Sequence, residues 1–387
     1  MEEARCFILT VSSPVQAFFR AQTGTGVPQE TSVKSAQVSS GLDFQPVNTP
    51  ENFLGGKVYS FRQNWLSWSG DQMIFDIVTG NVIDLEFSPA QDDFPRPLVF
   101  PQTDKLALDA AMREFIACRI VEKCNIFETD SAFYSNFFPV IKDNGSARII
   151  LNLKELNTCI AFSHFKMDTI RDVLNLIFPS CFFMTVDFKH AYYSVYVTPN
   201  QRKWLRFIWN DEHYQFISLP QGLSSAPRLF TKLLKPVLTH LRKLGILISC
   251  YIDDCIFIAA SQEELLQNVN YALHLFDSLG LTVNMSKSVL TPVQSVQFLG
   301  VILDSVSMTV TLPGGKISKI KKLGATLLSR NVCAIHDLAS FIGQVVFAGI
   351  AVPQAPLRYK YLEIVRNMAL IRSNIWQLFV LMLMLGI

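Results

Sequence analysis

The feature that most constrains this chain is a pair of adjacent acids inside an apolar β segment. Tyr251, Ile252, Asp253 and Asp254 follow Ile246, Leu247, Ile248 and Cys250, and precede Cys255, Ile256, Phe257, Ile258 and Ala259. Ionised carboxylates are very costly to bury without a partner. The pair must therefore stand at a turn facing solvent or against a cation. As a surface turn it is ordinary. As the tip of a tight hairpin it projects two carboxylates from a rigid platform, which suits Mg²⁺, a cation that takes one or two carboxylates plus phosphate oxygens. A third acid, Asp187, ends the apolar run 181–186, where another buried strand meets an edge. Two metal ions about 3.5–4 Å apart need several bridging carboxylates, and in-line phosphoryl transfer uses that arrangement.

Around these acids, strand and helix signals interleave without a regular βαβ repeat. Helical patterns are expected over 105–124, 166–176, 226–244 (with Pro236 as a kink) and 263–279, the last stopping at Gly280. Strands are expected over 135–141, 148–153, 182–187, 282–284 and 297–303, with two more around Asp253–Asp254. Residues 203–209 and 213–218 read as a hairpin about Asn210–Asp211. From Ile317 the pattern is mainly helical. This suggests an α+β sheet domain with helices on one face, followed by a helical lobe. Residues 1–103 read as a poorly ordered N-terminal or adaptor region, because turn formers dominate and periodicity is lost.

Charge and cysteine usage narrow the partners. The 387 residues carry a formal net charge of only +2 and are 50% hydrophobic, which excludes a polycation and allows a large core. The charge is unevenly spread. Residues 1–120 hold 9 Lys and Arg against 14 Asp and Glu, while 301–370 hold 8 against 3. The C-terminal excess includes Lys316, Lys319, Lys321 and Lys322, which could follow a phosphate backbone or simply form a solvated helix face. The eight cysteines contain no CxxC pair and read as reduced thiols. Acids near the N-terminus argue against a signal peptide, so the cytoplasm or nucleus is expected. The apolar tail 371–387 is short for a membrane span, which needs about 20 residues, and reads as a buried helix or a truncation.

Three blocks now carry a resemblance. FMTVDFKHAYY around Asp187, LPQGLSSAPRLF at 219–230 and YIDD at 251–254 stand in the order and approximate spacing of the reverse transcriptase palm. NLKELN at 152–157, Lys287–Ser288 and Phe298-Leu299-Gly300 resemble the remaining blocks. The similarity covers roughly 104–370, and its finer wording is most similar to the polymerase of DIRS-type, tyrosine-recombinase-encoding retrotransposons, with gypsy-type elements as near neighbours. The resemblance implies a right-hand polymerase with fingers and palm over 104–303 and a helical thumb or connection over 304–370. It also implies two Mg²⁺ or Mn²⁺ ions, a primed RNA or DNA template, deoxynucleotide substrates and no membrane.

Roles follow by position. The resemblance implies that Asp187 and Asp253 are the main metal ligands, with Asp254 assisting and the Phe188 carbonyl completing the set. Tyr192 would press on the sugar and exclude a 2′-hydroxyl; otherwise it is a core tyrosine. Arg148 and Lys142 would meet the triphosphate from the fingers. Gln221 and Gly222 would contact the incoming nucleotide, and Lys287 would lie near pyrophosphate or be a plain surface lysine. Phe298, Leu299 and Gly300 would form the primer grip. The sequence departs from many relatives at Asn152, where an acid is usual, and shows no ribonuclease H, protease or recombinase segment. A fragment of a polyprotein is therefore expected. Two other readings stand beside an active enzyme: an inert nucleic-acid-binding relic, and an RNA-dependent RNA polymerase, which Tyr192 and YIDD disfavour.

Overall fold

The computed structural model describes residues 53–91, 95, 96, 98–124, 132–141, 145–330, 333–352 and 354–385, with side chains except at 358 and 372–385. The chain divides into two compact units. The larger holds the described chain up to Leu176 together with Phe183–Pro292, and the smaller holds Ile177–Phe182 and the chain from Val293.

Residues 1–52 lie outside the described residues, but the rest of the expected adaptor region begins with helices: α1 (Lys57–Ser60), α2 (Arg62–Trp68) and α3 (Gln72–Thr79). Local chemistry accounts for the third. The Asp71 side chain accepts the Met73 N–H at its start, and left-handed Gly80 ends it. Tertiary burial accounts for the second. Trp65 is 1% exposed, and its indole N–H donates to the Leu279 carbonyl at 2.9 Å.

Helix α4 (Gln102–Ala117) is shorter than the expected 105–124. Arg119 takes φ 50°, which breaks the helix, and buried Ile120 and Val121 lead into β1 (Val121–Lys123). A hairpin of β2 (Phe137–Ile141) and β3 (Ala147–Leu151) follows, with Val140 opposite Arg148. Helix α5 (Ile170–Leu174) starts at a Thr169–Asp172 capping box. Next come β4 (Phe182–Asp187), a single turn at Tyr192–Ser194, α6 (Pro199–Arg202), β5 (Arg206–Trp209) and β6 (Glu212–Phe216). The β5–β6 turn has φ 48° at Asn210 and 60° at Asp211, the backbone that a tight hairpin demands and that Asn and Asp tolerate.

Helix α7 (Ala226–Lys243) runs through Pro236 as one element. It leads into β7 (Leu247–Tyr251), β8 (Asp254–Ala259), α8 (Gln262–Ser278) and β9 (Val289–Val293). The central sheet has the order β7-β8-β4-β9. Helix α7 packs on β7 and α8 on β8. Buried Phe230, Leu233, Val237 and Leu241 form the inner stripe of α7, and Leu265, Val269 and Phe276 that of α8. Each such side chain contributes about 1.5–3 kcal/mol of burial. The expected strand 282–284 reduces to a single bridge between Val283 and Phe188. A second sheet of the same unit has the order β1-β6-β5.

The smaller unit contains the antiparallel strands β10 (Ser295–Phe298), β11 (Val301–Asp304) and β12 (Thr309–Thr311). The strand expected over 297–303 is therefore two strands. Leu299 and Gly300 turn the chain with φ 43° and 78°, a conformation that periodicity does not report. Helices α9 (Gly314–Leu328), α10 (Ile335–Ala348) and α11 (Ala355–Leu385) complete it, and α11 includes most of the apolar tail. Cys250 and Cys255 are direct partners across β7 and β8. Strand register brings them together despite their separation in sequence.

Candidate active site

The β7–β8 hairpin builds the acidic centre. Tyr251 pairs with Asp254, which leaves Ile252 and Asp253 as a two-residue turn. Ile252 takes φ 58°, a left-handed backbone that is costly for a β-branched residue. Strain of this kind, about 1–3 kcal/mol, survives only where the surroundings over-determine the geometry. Here strands buried along Cys255, Ile256, Phe257 and Ile258 hold the turn from below.

Asp187 arrives at the C-terminal end of β4. Its N–H donates to the Ser288 hydroxyl at 3.0 Å, and its carbonyl accepts the Asn284 N–H at 2.8 Å. The next residue closes the gap to the hairpin, since the Phe188 N–H donates to the Asp253 carbonyl at 2.9 Å. The Phe188 ring is 3% exposed and packs edge-on against Phe276 at 4.9 Å. An apolar anchor thus fixes the backbone beside the acids. Ser288 escaped the residue-level reading. Its signal was its position next to Lys287, within a block already marked out.

The three carboxyls lie near enough to influence one another. Burial pushes Asp253 above the usual carboxylate range, and the nearby Asp187 charge adds to it. Burial, then the charges of Asp253 and Asp187, push Asp254 up to about 6, and a hydrogen bond between the Asp254 and Asp187 carboxyls works the same way. Lys287 and Arg148 oppose these shifts at Asp253, and Lys287 at Asp254. The Lys287 ammonium lies 4.0 Å from the Asp187 carboxylate and is 65% exposed, so it screens only weakly.

An excess of negative charge of this kind would be relieved by a bound cation. Among the described residues, no group of three or more His, Cys, Asp or Glu side chains stands as a ready ion-binding set. Asp187, Asp253 and Asp254 fit a cation by charge and donor type, while the hydrogen bond between two of them occupies oxygens that a cation would use.

Tyr192 stands beside the acids. The Asp253 and Tyr251 charges add to burial in pushing its phenol up to about 12, and its ring meets Phe230 of α7 edge-on at 6.1 Å. Arg148 faces Asp253 closely enough to influence it. The loop of Gln221 and Gly222 is held from two sides. The Gln221 carbonyl accepts the Leu151 N–H at 3.2 Å, and the Asn157 amide donates to the Gly222 carbonyl at 2.9 Å. The Asn157 oxygen also accepts the Ser224 N–H at 2.9 Å. Gly222 has φ 111°, and a Cβ there would run into the Leu151 carbonyl. Asn157 was another omission of the residue-level reading, though it closes the NLKELN block.

Phe298, Leu299 and Gly300 lie in the smaller unit, at the β10–β11 turn. There the Lys316 ammonium sits over the Phe347 ring at 3.5 Å, close against Gly300. Lys142 lies outside the described residues. Among the described residues, no helix is long and apolar enough to cross a membrane.

Comparison with known proteins shows what the surrounding segment is similar to. Residues 140–303 match the family described as reverse transcriptase (RNA-dependent DNA polymerase). This segment is similar to reverse transcriptase domains. The chain is 24% identical over 253 residues to the genome polyprotein of Petunia vein clearing virus, covering 64% of the chain and 11% of that protein. It is 22% identical over 259 residues to the enzymatic polyprotein of Cauliflower mosaic virus (strain Strasbourg), covering 67% and 36%. The chain therefore spans about a tenth to a third of these relatives' lengths.

Among solved structures, the matched segment and its flanks resemble the foamy viral protease-reverse transcriptase in complex with double-stranded DNA. The TM-score is 0.57 at 18% identity, covering 79% of this chain and 54% of that one. The same viral protein in complex with an RNA/DNA hybrid matches with a TM-score of 0.55 at 18% identity, covering 82% and 44%. The α+β polymerase fold expected from the sequence is the fold observed.

Proposed function

We propose that this chain is an RNA-directed DNA polymerase that adds deoxynucleotides to a primer 3′ end. One observation carries the reading: Asp187, Asp253 and Asp254 meet at the tip of the β7–β8 hairpin, inside a segment matching the reverse transcriptase family. Asp187 and Asp253 would hold two divalent cations with Asp254 assisting, and the Phe188 carbonyl would complete the set. Such cations, when bound, lower the pKa of the primer hydroxyl and neutralise charge on the leaving pyrophosphate.

The protein's own groups position the substrates. Arg148 binds triphosphate oxygens through its planar fork. Gln221 and Gly222 let the nucleotide approach bare backbone. Tyr192 presses on the sugar and leaves no room for a 2′-hydroxyl. Lys287 lies near the departing pyrophosphate and can protonate it. Lys142 joins Arg148 on the triphosphate, and Phe298, Leu299 and Gly300 grip the primer. The domains are fingers and palm over 104–303 and thumb or connection over 304–370, within a retroelement polyprotein most like the DIRS type, with the gypsy type as near neighbour. Its template is RNA or DNA, and its setting is the cytoplasm or nucleus.

The test is primer extension on a primed RNA template with Mg²⁺ or Mn²⁺, comparing the wild type with Asp253→Asn. Extension by the wild type and a loss of at least about 10²–10³-fold in the variant, with duplex binding kept, is expected. No extension with any metal, and equal duplex binding by both proteins, would favour an inert relic. Preference for ribonucleotides would favour an RNA polymerase.

A further inference from the structure

Away from the acids, a groove of about 610 Å³ runs between α7 and the α2–α3 corner of the larger unit. Lys232, Lys235 and Lys243 line one wall, with Thr239 between them, and Trp68, Met73 and Ile74 line the other. The lysines lie within 12 residues of one helix, a span of about 16 Å at 1.5 Å per residue step. Among the described residues, none of the three forms an ion pair with a carboxylate. Asp71 is the acid of the lining, and its carboxylate is engaged in capping α3. No Asp or Glu occurs between Glu212 and Asp253, so α7 brings no acid of its own.

Phosphate oxygens complement such a wall, and the opposite wall suggests which polyanion. The Trp68 ring lies 4.5 Å from His240, whose imidazole is fixed by the Tyr271 hydroxyl at 2.8 Å. A single row of cations facing an aromatic and apolar wall suits one strand, with phosphates on the lysines and bases on the rings. A duplex would need a second row for its second strand. The inner stripe of α7 faces the core, so the helix itself stands between this groove and the palm sheet.

We propose that the groove between α7 and the α2–α3 corner binds single-stranded nucleic acid, as a strand-holding site separate from the acidic centre.

The test uses the full chain and a 5-iodouracil-substituted single strand of about 12 nucleotides, within the range that such grooves cover. Ultraviolet cross-linking, followed by peptide mapping, should label Trp68 or α7. Lys232→Gln, Lys235→Gln and Lys243→Gln together should remove that cross-link. They should also weaken single-strand binding about 10–100-fold and lower the slope of log affinity against log salt by about 2. Thermal melting should confirm that the variant folds, and extension of a pre-annealed primer should be unchanged. Cross-links confined to other segments, or single-strand binding unchanged in the variant, would overturn the proposal. Binding of polyglutamate lost in the variant while single-strand binding persists would overturn it in favour of an acidic peptide. The cross-link reads out even if the chain extends no primer, so failure here and failure of the polymerase reading are distinguishable.

Discussion

Asp254 shows what crowding acids together costs at the scale of a residue. Its carboxyl is pushed up to about 6 by burial and by two neighbouring acids. An unfolded Asp titrates near 3.9. Between about pH 4 and 6 the folded state therefore binds more protons than the unfolded one, and stability falls as pH rises through that window. Relieving the repulsion with Asp254→Asn should raise Tm at pH 7 in metal-free buffer. After discounting for solvent screening at a half-buried site, the gain is on the order of 1 kcal/mol, or about 2–4 °C. Scanning calorimetry should find this gain shrinking towards pH 4, and primer extension should find activity lost; a lower Tm at pH 7 would contradict the electrostatic account. Tyr192→Ala makes a separate point about specificity. If the ring excludes the 2′-hydroxyl, the variant should lower the preference for deoxynucleotides by about 10-fold or more, a difference of ~1.4 kcal/mol. Competition between dNTP and rNTP reads this directly.

Single elements carry the geometry that residues alone cannot. The loop of Gln221 and Gly222 is shaped by three hydrogen bonds, one donated and one accepted by the Asn157 side chain. Asn157→Ala removes both, at a net cost of about 1 kcal/mol each. If the loop positions the nucleotide as proposed, the KM for nucleotide should rise by about 10-fold while kcat changes less. Gly222→Ala should be more severe, since φ 111° and the Leu151 carbonyl both oppose a Cβ. Steady-state extension kinetics would separate these outcomes, and an unchanged KM in both variants would remove the loop from the nucleotide site. The acids were legible in sequence because charge is unusual in apolar surroundings, and the LPQG block through its resemblance to a known family. Asn157 and Ser288 were not, because a polar residue shows its partner only after the chain has folded back on itself.

At the scale of the molecule, the helices from Lys57 to Thr79 are part of the larger unit and not an appendage. Trp65 is buried and bonded to Leu279 across more than two hundred residues. Trp65→Ala should cost about 3–5 kcal/mol through the cavity and the lost hydrogen bond. Urea unfolding followed by fluorescence should show a lowered midpoint with the slope m little changed. A midpoint within error of wild type would mean that α2 docks only loosely.

Sequence alone determined which residues could do chemistry here. Charges forced into an apolar strand must face a turn or a cation, and that argument needs no coordinates for Asp187, Asp253 and Asp254. It also determined the strand 182–187 and the helices after Ala226 and Gln262, whose apolar periodicity matches their buried faces. Only the tertiary structure decided where α4 stops, that 297–303 is a hairpin, that Cys250 faces Cys255, and that a lysine row meets Trp68. Backbone turns at Arg119 and Leu299 cost little in sequence pattern, and contacts between distant segments leave no periodic trace. Such features are set by how separate elements pack, which local preference does not encode.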